Sequence, residues 1–173
     1  TASQTGRWEL ATELLELLMR ERPTSEGREE AARLCLLIHR DRRSNPAMAK
    51  QATLCLLEEN PSSPEGIDLV LSGCFDADES TRLLERIRPA LLARVSEQPF
   101  EREALERLAR LAQRLSDLSL RQACLGALVA LGYGSRAEEG ELVELDQIMA
   151  QVPTIVLDES TTHKVVDPED RGP

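Results

Sequence analysis

Apolar residues in this chain recur at three- and four-residue intervals, and prolines, glycines or Ser/Thr/Asp-rich clusters break the runs. The stretches Trp8 to Arg22, Met48 to Asn60 and Thr81 to Gln98 are amphipathic in this sense. That interval is the signature of a helix with one face turned to a core, and strict alternation of strand type is missing from most of the chain. Start and stop signals divide the pattern into helices near residues 6–22, 25–41, 46–59, 64–74, 78–97, 101–115, 118–131 and 136–151. Thr24-Ser25-Glu26, Ser62-Ser63-Pro64-Glu65 and Glu101-Arg102-Glu103 suit helix starts, and Gly132-Tyr133-Gly134 suits a glycine C-cap and turn.

The runs are periodic. Pro23, Pro61 and Pro99 are each 38 residues apart, every one closing an amphipathic run and leading into a new helix start. Other positions repeat with them. Ala11, Leu15, Leu18 and Pro23 are echoed by Ala49, Thr53, Leu56 and Pro61, and Ala123, Ala127 and Ala130 keep the same internal spacing. The unit with Ile87, Leu91 and Arg94 breaks the small-residue pattern, and Pro89 is expected to kink its helix. In the intervening helices, Leu105, Leu108, Ala109 and Ala112 set a pattern of two large apolar residues, a small residue and another packing residue. Ile67, Val70, Leu71, Cys74 and Glu29, Ala32, Arg33, Leu36 follow it less closely.

Over roughly residues 6–135 this order resembles the tetratricopeptide repeat (TPR), in a degenerate form without its large aromatics. The resemblance implies an all-α fold, a right-handed α-solenoid of antiparallel helical hairpins with about seven or eight helices. It makes residues 1–153 the repeat domain. The first helix then looks like the second member of a hairpin, with its mate upstream or with a capping role. Beyond Pro153, Ile155-Val156-Leu157 and Lys164-Val165-Val166 are short β-type runs in a polar setting, and residues 154–173 read as an extended tail or linker.

Composition agrees with the all-α expectation. Leu and Ala dominate the apolar fraction, whereas Trp8, Tyr133, Phe75 and Phe100 are the only aromatics. The formal net charge is −10, and residues 1–45 balance eight arginines against eight acids, so the deficit falls on the rest. Such a field disfavours nucleic acid and anionic membrane and favours cationic partners. No run approaches the roughly 18–20 apolar residues of a membrane span, and no basic-then-apolar entry marks a signal peptide. Cys35, Cys55, Cys74 and Cys124 form no C-x-x-C pair and sit in apolar helical stretches. They read as small buried hydrophobes in a reducing, cytoplasmic setting, although an even count leaves disulfides open.

Candidate chemistry is sparse. The chain has no G-x-S-x-G, no phosphate-binding glycine loop and no H-E-x-x-H, and only two histidines, His39 and His163, so no metal or cofactor is expected. His39 beside Arg40 reads as a cation complementing a helix C-terminus, as do Arg42 and Arg43. What remains is partner binding. In TPR arrays the first helix of each pair lines the concave groove. The 38-residue register places Glu30, Asp68 and Glu106 in one groove slot, with Gly27, Glu65 and Glu103 one turn earlier. Arg110 and Arg114 lie further along that face and offset part of the charge. The expected function is a non-enzymatic protein–protein scaffold or adaptor holding a protein or peptide partner, a basic one by charge. The alternative is a structural spacer or oligomerisation module in a larger protein.

Overall fold

The computed structural model describes residues 2–21 and 24–151, with side chains from Gly6 onward. Among these residues the chain is entirely helical, without strands. It contains α1 (Ala2–Glu21), α2 (Ser25–Asp41), α3 (Pro46–Glu59), α4 (Pro64–Leu71), α5 (Ala77–Glu97), α6 (Arg102–Arg114), α7 (Leu118–Ala130) and α8 (Arg136–Gln151). Pro23, His163 and the whole 154–173 tail lie outside the described residues.

Local chemistry explains most of the boundaries. Asn45, Asp76 and Asp117 cap α3, α5 and α7, each side-chain oxygen accepting from the backbone N–H three residues on, at 3.2, 2.8 and 3.0 Å. Pro46 and Pro64 stand in the first turn of α3 and α4, where a missing N–H costs nothing. Ser135 and Glu138 form a reciprocal capping box before α8. Gly132 takes a left-handed φ of 76° after α7, and Tyr133 N–H reaches back to the Leu128 carbonyl at 2.8 Å. Thr24, Ser63 and Glu101, expected as side-chain caps, make no capping bond. Glu101 is held instead by Arg94, at 2.6 and 2.8 Å.

Each helix packs on its successor along the chain, and α4 also packs on α6. A single core runs through the described residues, built from Leu36, Leu56, Leu57, Ile67, Leu84, Ile87, Leu91, Leu108, Leu111, Leu125 and Leu128 among others. These positions fall at helical spacing within each element, so each helix turns one stripe inward. Leu105, Leu108, Ala109 and Ala112 are all buried in α6, as their pattern implies. The α7 register differs from the expected one. Arg121, Cys124, Leu125 and Leu128 face inward, and Ala123 and Ala130 are exposed. Leucine buries far more apolar area than alanine, so the leucine stripe sets the rotation of this helix.

The segment expected to be least regular, α5, runs unbroken through Pro89 and buries Ile87 and Leu91. Both Pro89 and Glu85, whose carbonyl loses its N–H partner, are exposed, so water can take up the missing bond. Successive helices are tied laterally by ion pairs: Arg28–Glu59 (α2–α3, 2.7 Å), Arg94–Glu101 (α5 to the start of α6, 2.6 Å) and Arg121–Glu141 (α7–α8, 2.7 Å).

Candidate functional site

Ion pairs link five of the six groove candidates, Glu30, Glu65, Asp68, Glu103 and Arg110, across α2, α4 and α6, whereas Glu106 pairs within α6, and the acids do not form a free acidic surface. On α2, Glu30 takes two bonds from Arg33 at 2.8 and 2.9 Å, and Arg33 also reaches Glu65 of α4 at 3.6 Å. On α4, Asp68 accepts from Arg107 at 3.1 and 3.2 Å and from Arg110 at 2.8 Å, both on α6. Glu103 pairs with Arg107 at 3.3 Å, and Glu106 pairs with Arg102 at 2.6 Å. Acids and arginines therefore alternate across the three helices, and the face is close to neutral. Arg110 belongs to this ladder as an ion-pair partner of Asp68. Gly27 is half-buried at the start of α2, and Arg114 turns away to Ser80 Oγ at 3.4 Å.

The arginines near the end of α2 are likewise engaged within the chain. Arg40 pairs with Asp41 at 2.6 Å, Arg42 lies 5.8 Å from the Trp8 ring centroid, and Arg43 donates to Thr12 Oγ1 at 3.0 Å. They do not form a shared phosphate site.

Two features stand out that the pattern of residue types did not flag. The first is α1. Its inner face presents Thr12, Leu15 and Met19 to the rest of the molecule. Its outer face presents Leu10, Leu14 and Leu17, which are 59, 54 and 53 % exposed, with Leu18 at their edge. These leucines form an i, i+4, i+7 stripe, so α1 is apolar on both sides. Elsewhere, exposed large apolar residues such as Leu34, Leu92 and Leu118 are scattered singly, which is ordinary for a protein surface.

The second feature surrounds His39. This residue is not a solvated cation at a helix end: it is 1 % exposed, and neither ring nitrogen has a hydrogen-bond partner. Burial lowers its pKa, the Arg43 charge lowers it further, and Glu16 pulls the other way by less. The imidazole is therefore neutral near pH 7. Its Nε2 is 3.8 Å from Glu16 Oε1, beyond hydrogen-bonding range. Cys35, one helical turn earlier on α2, completes a group with Glu16 and His39 whose ligand atoms all lie within 4.8 Å of one another. Burial pushes the Cys35 thiol up to about 11. A protonated thiol beside a neutral imidazole is not the activated thiolate–imidazolium pair that nucleophilic catalysis requires. The signal available in the sequence was Cys35-x-x-x-His39, an i, i+4 pair on one helix face. Glu16 comes from another helix and gives no sequence signal at all.

The other cysteines divide by position. All four thiols are free, Cys124 is buried and raised by that burial to about 11, and Cys74 is exposed with its Sγ 3.1 Å from Ser72 Oγ, against the expectation that all are buried. No described helix is long and apolar enough to cross a membrane. No family model matches the chain, no curated protein matches it, and no solved structure matches it.

Proposed function

We infer that this chain is a non-catalytic protein-interaction module that docks an amphipathic helix of a partner protein on the outer face of α1. The carrying observation is the Leu10, Leu14 and Leu17 stripe, which lies opposite an already buried face of the same helix. A helix with apolar stripes on two opposite sides, as α1 has despite its charged flank of Glu9, Glu13, Glu16 and Arg20, buries both only between two neighbours. Removing one leucine side chain from water is worth about 1.5–3 kcal/mol, so three leucines supply a useful anchor even after ordering costs. The net charge of −10 makes basic flanks on the incoming helix favourable. This retains the scaffold or adaptor reading and a basic partner, and it shifts the anchor from the α2/α4/α6 face to α1. The resemblance to TPR arrays supports it in kind, since stacked hairpins present helix faces to partners; a right-handed solenoid in a cytoplasmic scaffold belongs to the same proposal.

Trp8, the single tryptophan, lies on the opposite side of α1 beside Arg42, so the test reads the incoming helix rather than this chain. Titration of a fluorescently labelled synthetic helix bearing leucines at i, i+4 and i+7 and lysine flanks is expected to shift its fluorescence anisotropy saturably. Replacing Leu10, Leu14 and Leu17 by Glu abolishes the shift at unchanged helicity. Equal binding by the triple variant overturns the assignment. A dimer of the unmodified chain in light scattering, dissociated by the same variant, instead assigns the face to a second copy and favours the oligomerisation alternative.

A further inference from the structure

We propose that Glu16, Cys35 and His39 form a binding site for Zn(II), bridging α1 and α2 at the centre of their packing. Three independent observations carry it. The donor set is one carboxylate oxygen, one thiol sulfur and one imidazole nitrogen, each an ordinary ligand for this borderline-soft ion. Their ligand atoms already lie within 4.8 Å of one another. The third observation is the histidine itself: both ring nitrogens are buried and without a partner. An orphaned buried polar group is costly, and a ligand on one ring nitrogen removes that nitrogen's share of the cost.

Along the nitrogen–oxygen edge the site needs a closure of about half an ångström. With Zn–N and Zn–O near 2.0–2.2 Å, a tetrahedral site sets nitrogen and oxygen roughly 3.3 Å apart. His39 Nε2 and Glu16 Oε1 are 3.8 Å apart, and the Glu16 side chain, partly exposed, has room to move inward. Cys35 and His39 are one helical turn apart, so a single helix face presents both, as in i, i+4 metal-binding pairs generally. A cavity of about 170 Å³ opens on Glu16 and Cys35, with Met19, Arg20, Met48 and Cys55 also in its wall; His39 does not line it. It supplies an entry path and room for water as the fourth ligand. Hard cations such as Mg(II) and Ca(II) favour all-oxygen sites and do not fit this set.

Charge is compatible. Binding displaces the Cys35 thiol proton to solvent, and the resulting thiolate and the Glu16 carboxylate together neutralise the dication. Arg43 is the nearby opposing charge. It is partly offset by Glu9, 3.4 Å away, and anchored to Thr12 Oγ1 at 3.0 Å.

The test uses the full chain, reduced and stripped with a chelator, then titrated with Zn(II) and separately with Co(II). The expected result is one Zn(II) per chain, a rise in the thermal midpoint, and a thiolate-to-Co(II) charge-transfer band. Cys35→Ser removes the band, Glu16→Gln weakens Zn(II) about tenfold or more, and Cys124→Ser, at an equally buried thiol in α7, changes neither. Glu16→Gln alters a partly exposed side chain and keeps the test valid should Cys35→Ser fail to fold. Absence of stoichiometric Zn(II), a band that persists in Cys35→Ser, or wild-type affinity in Glu16→Gln overturns the proposal.

Discussion

Arg121 shows how a single residue gains its role from its surroundings. It is a charged side chain buried in α7, and its guanidinium makes a two-pronged contact with Glu141 of α8 at 2.7 and 2.8 Å. Taking a guanidinium out of water is tolerated when its hydrogen bonds are met, and is costly when one partner is removed. Two substitutions should therefore differ in order. Arg121→Met keeps the apolar stem packed and releases an exposed-side carboxylate to water, whereas Glu141→Ala strands the buried charge. Urea unfolding is expected to find Glu141→Ala the more destabilising, with Glu141→Ala largely silent in the Arg121→Met background. The reverse order would show that the pair is packing rather than charge. Arg121 sits in a sequence context, Leu120-Arg121-Gln122, that looks like any solvated turn of helix, and its burial was not legible there.

At the scale of the element, the glycines inside helices separate propensity from packing. In α8, a Cβ at Gly140 meets nothing within 4 Å, and the same holds for Gly126 in α7. Alanine there is expected to raise stability by about 0.5–1 kcal/mol each, because glycine loses more backbone freedom on folding. In α4, a Cβ on Gly66 would meet Leu57 Cδ2 at 2.9 Å and Cγ at 3.0 Å. Leu57 is fully buried and has nowhere to swing. Overpacking costs about 1–3 kcal/mol against a propensity gain near 1, so Gly66→Ala is expected to lower stability. Chemical denaturation of the three variants checks the sign of each. Helix existence and limits were largely legible in the sequence, since period and caps are local. Rotation was less so: α7 follows its leucines rather than its alanines, and a spacing of small residues could not reveal that competition.

For the whole molecule, the carboxylates linking successive helices make stability depend on acid. Glu59 is held below the usual range by its bond from Arg28 and by Ser25, Glu101 by its bond from Arg94, and Glu141 by its bond from Arg121. A folded pKa below the unfolded value means the contribution is complete above about 4.3, the unfolded glutamate value, and is lost as pH falls through the folded pKa. Urea midpoints are thus expected to hold from pH 7 down to about 5 and to fall below about 4. The combined Glu59→Gln and Glu101→Gln variant should show a shallower acid slope, and an unchanged slope would remove these pairs as the cause. A second set of ion pairs explains why the candidate groove was only half legible. The register grouped Glu30, Asp68 and Glu106, but Arg33 meets Glu30 within α2, Arg102 meets Glu106 within α6, and Arg107 and Arg110 reach Asp68 from α6 to α4.

The sequence alone determined that this chain is helical among its described residues, where most helices begin and end, and four of the six buried positions in α6. Those properties depend on residues within a few turns of one another. Only the tertiary structure decided that the acidic ladder is neutralised, that α1 carries a second apolar face outward, and that Glu16 of α1 meets Cys35 and His39 of α2. Each of these depends on which faces of separate helices are brought together, and a periodicity shared by every helix does not specify that.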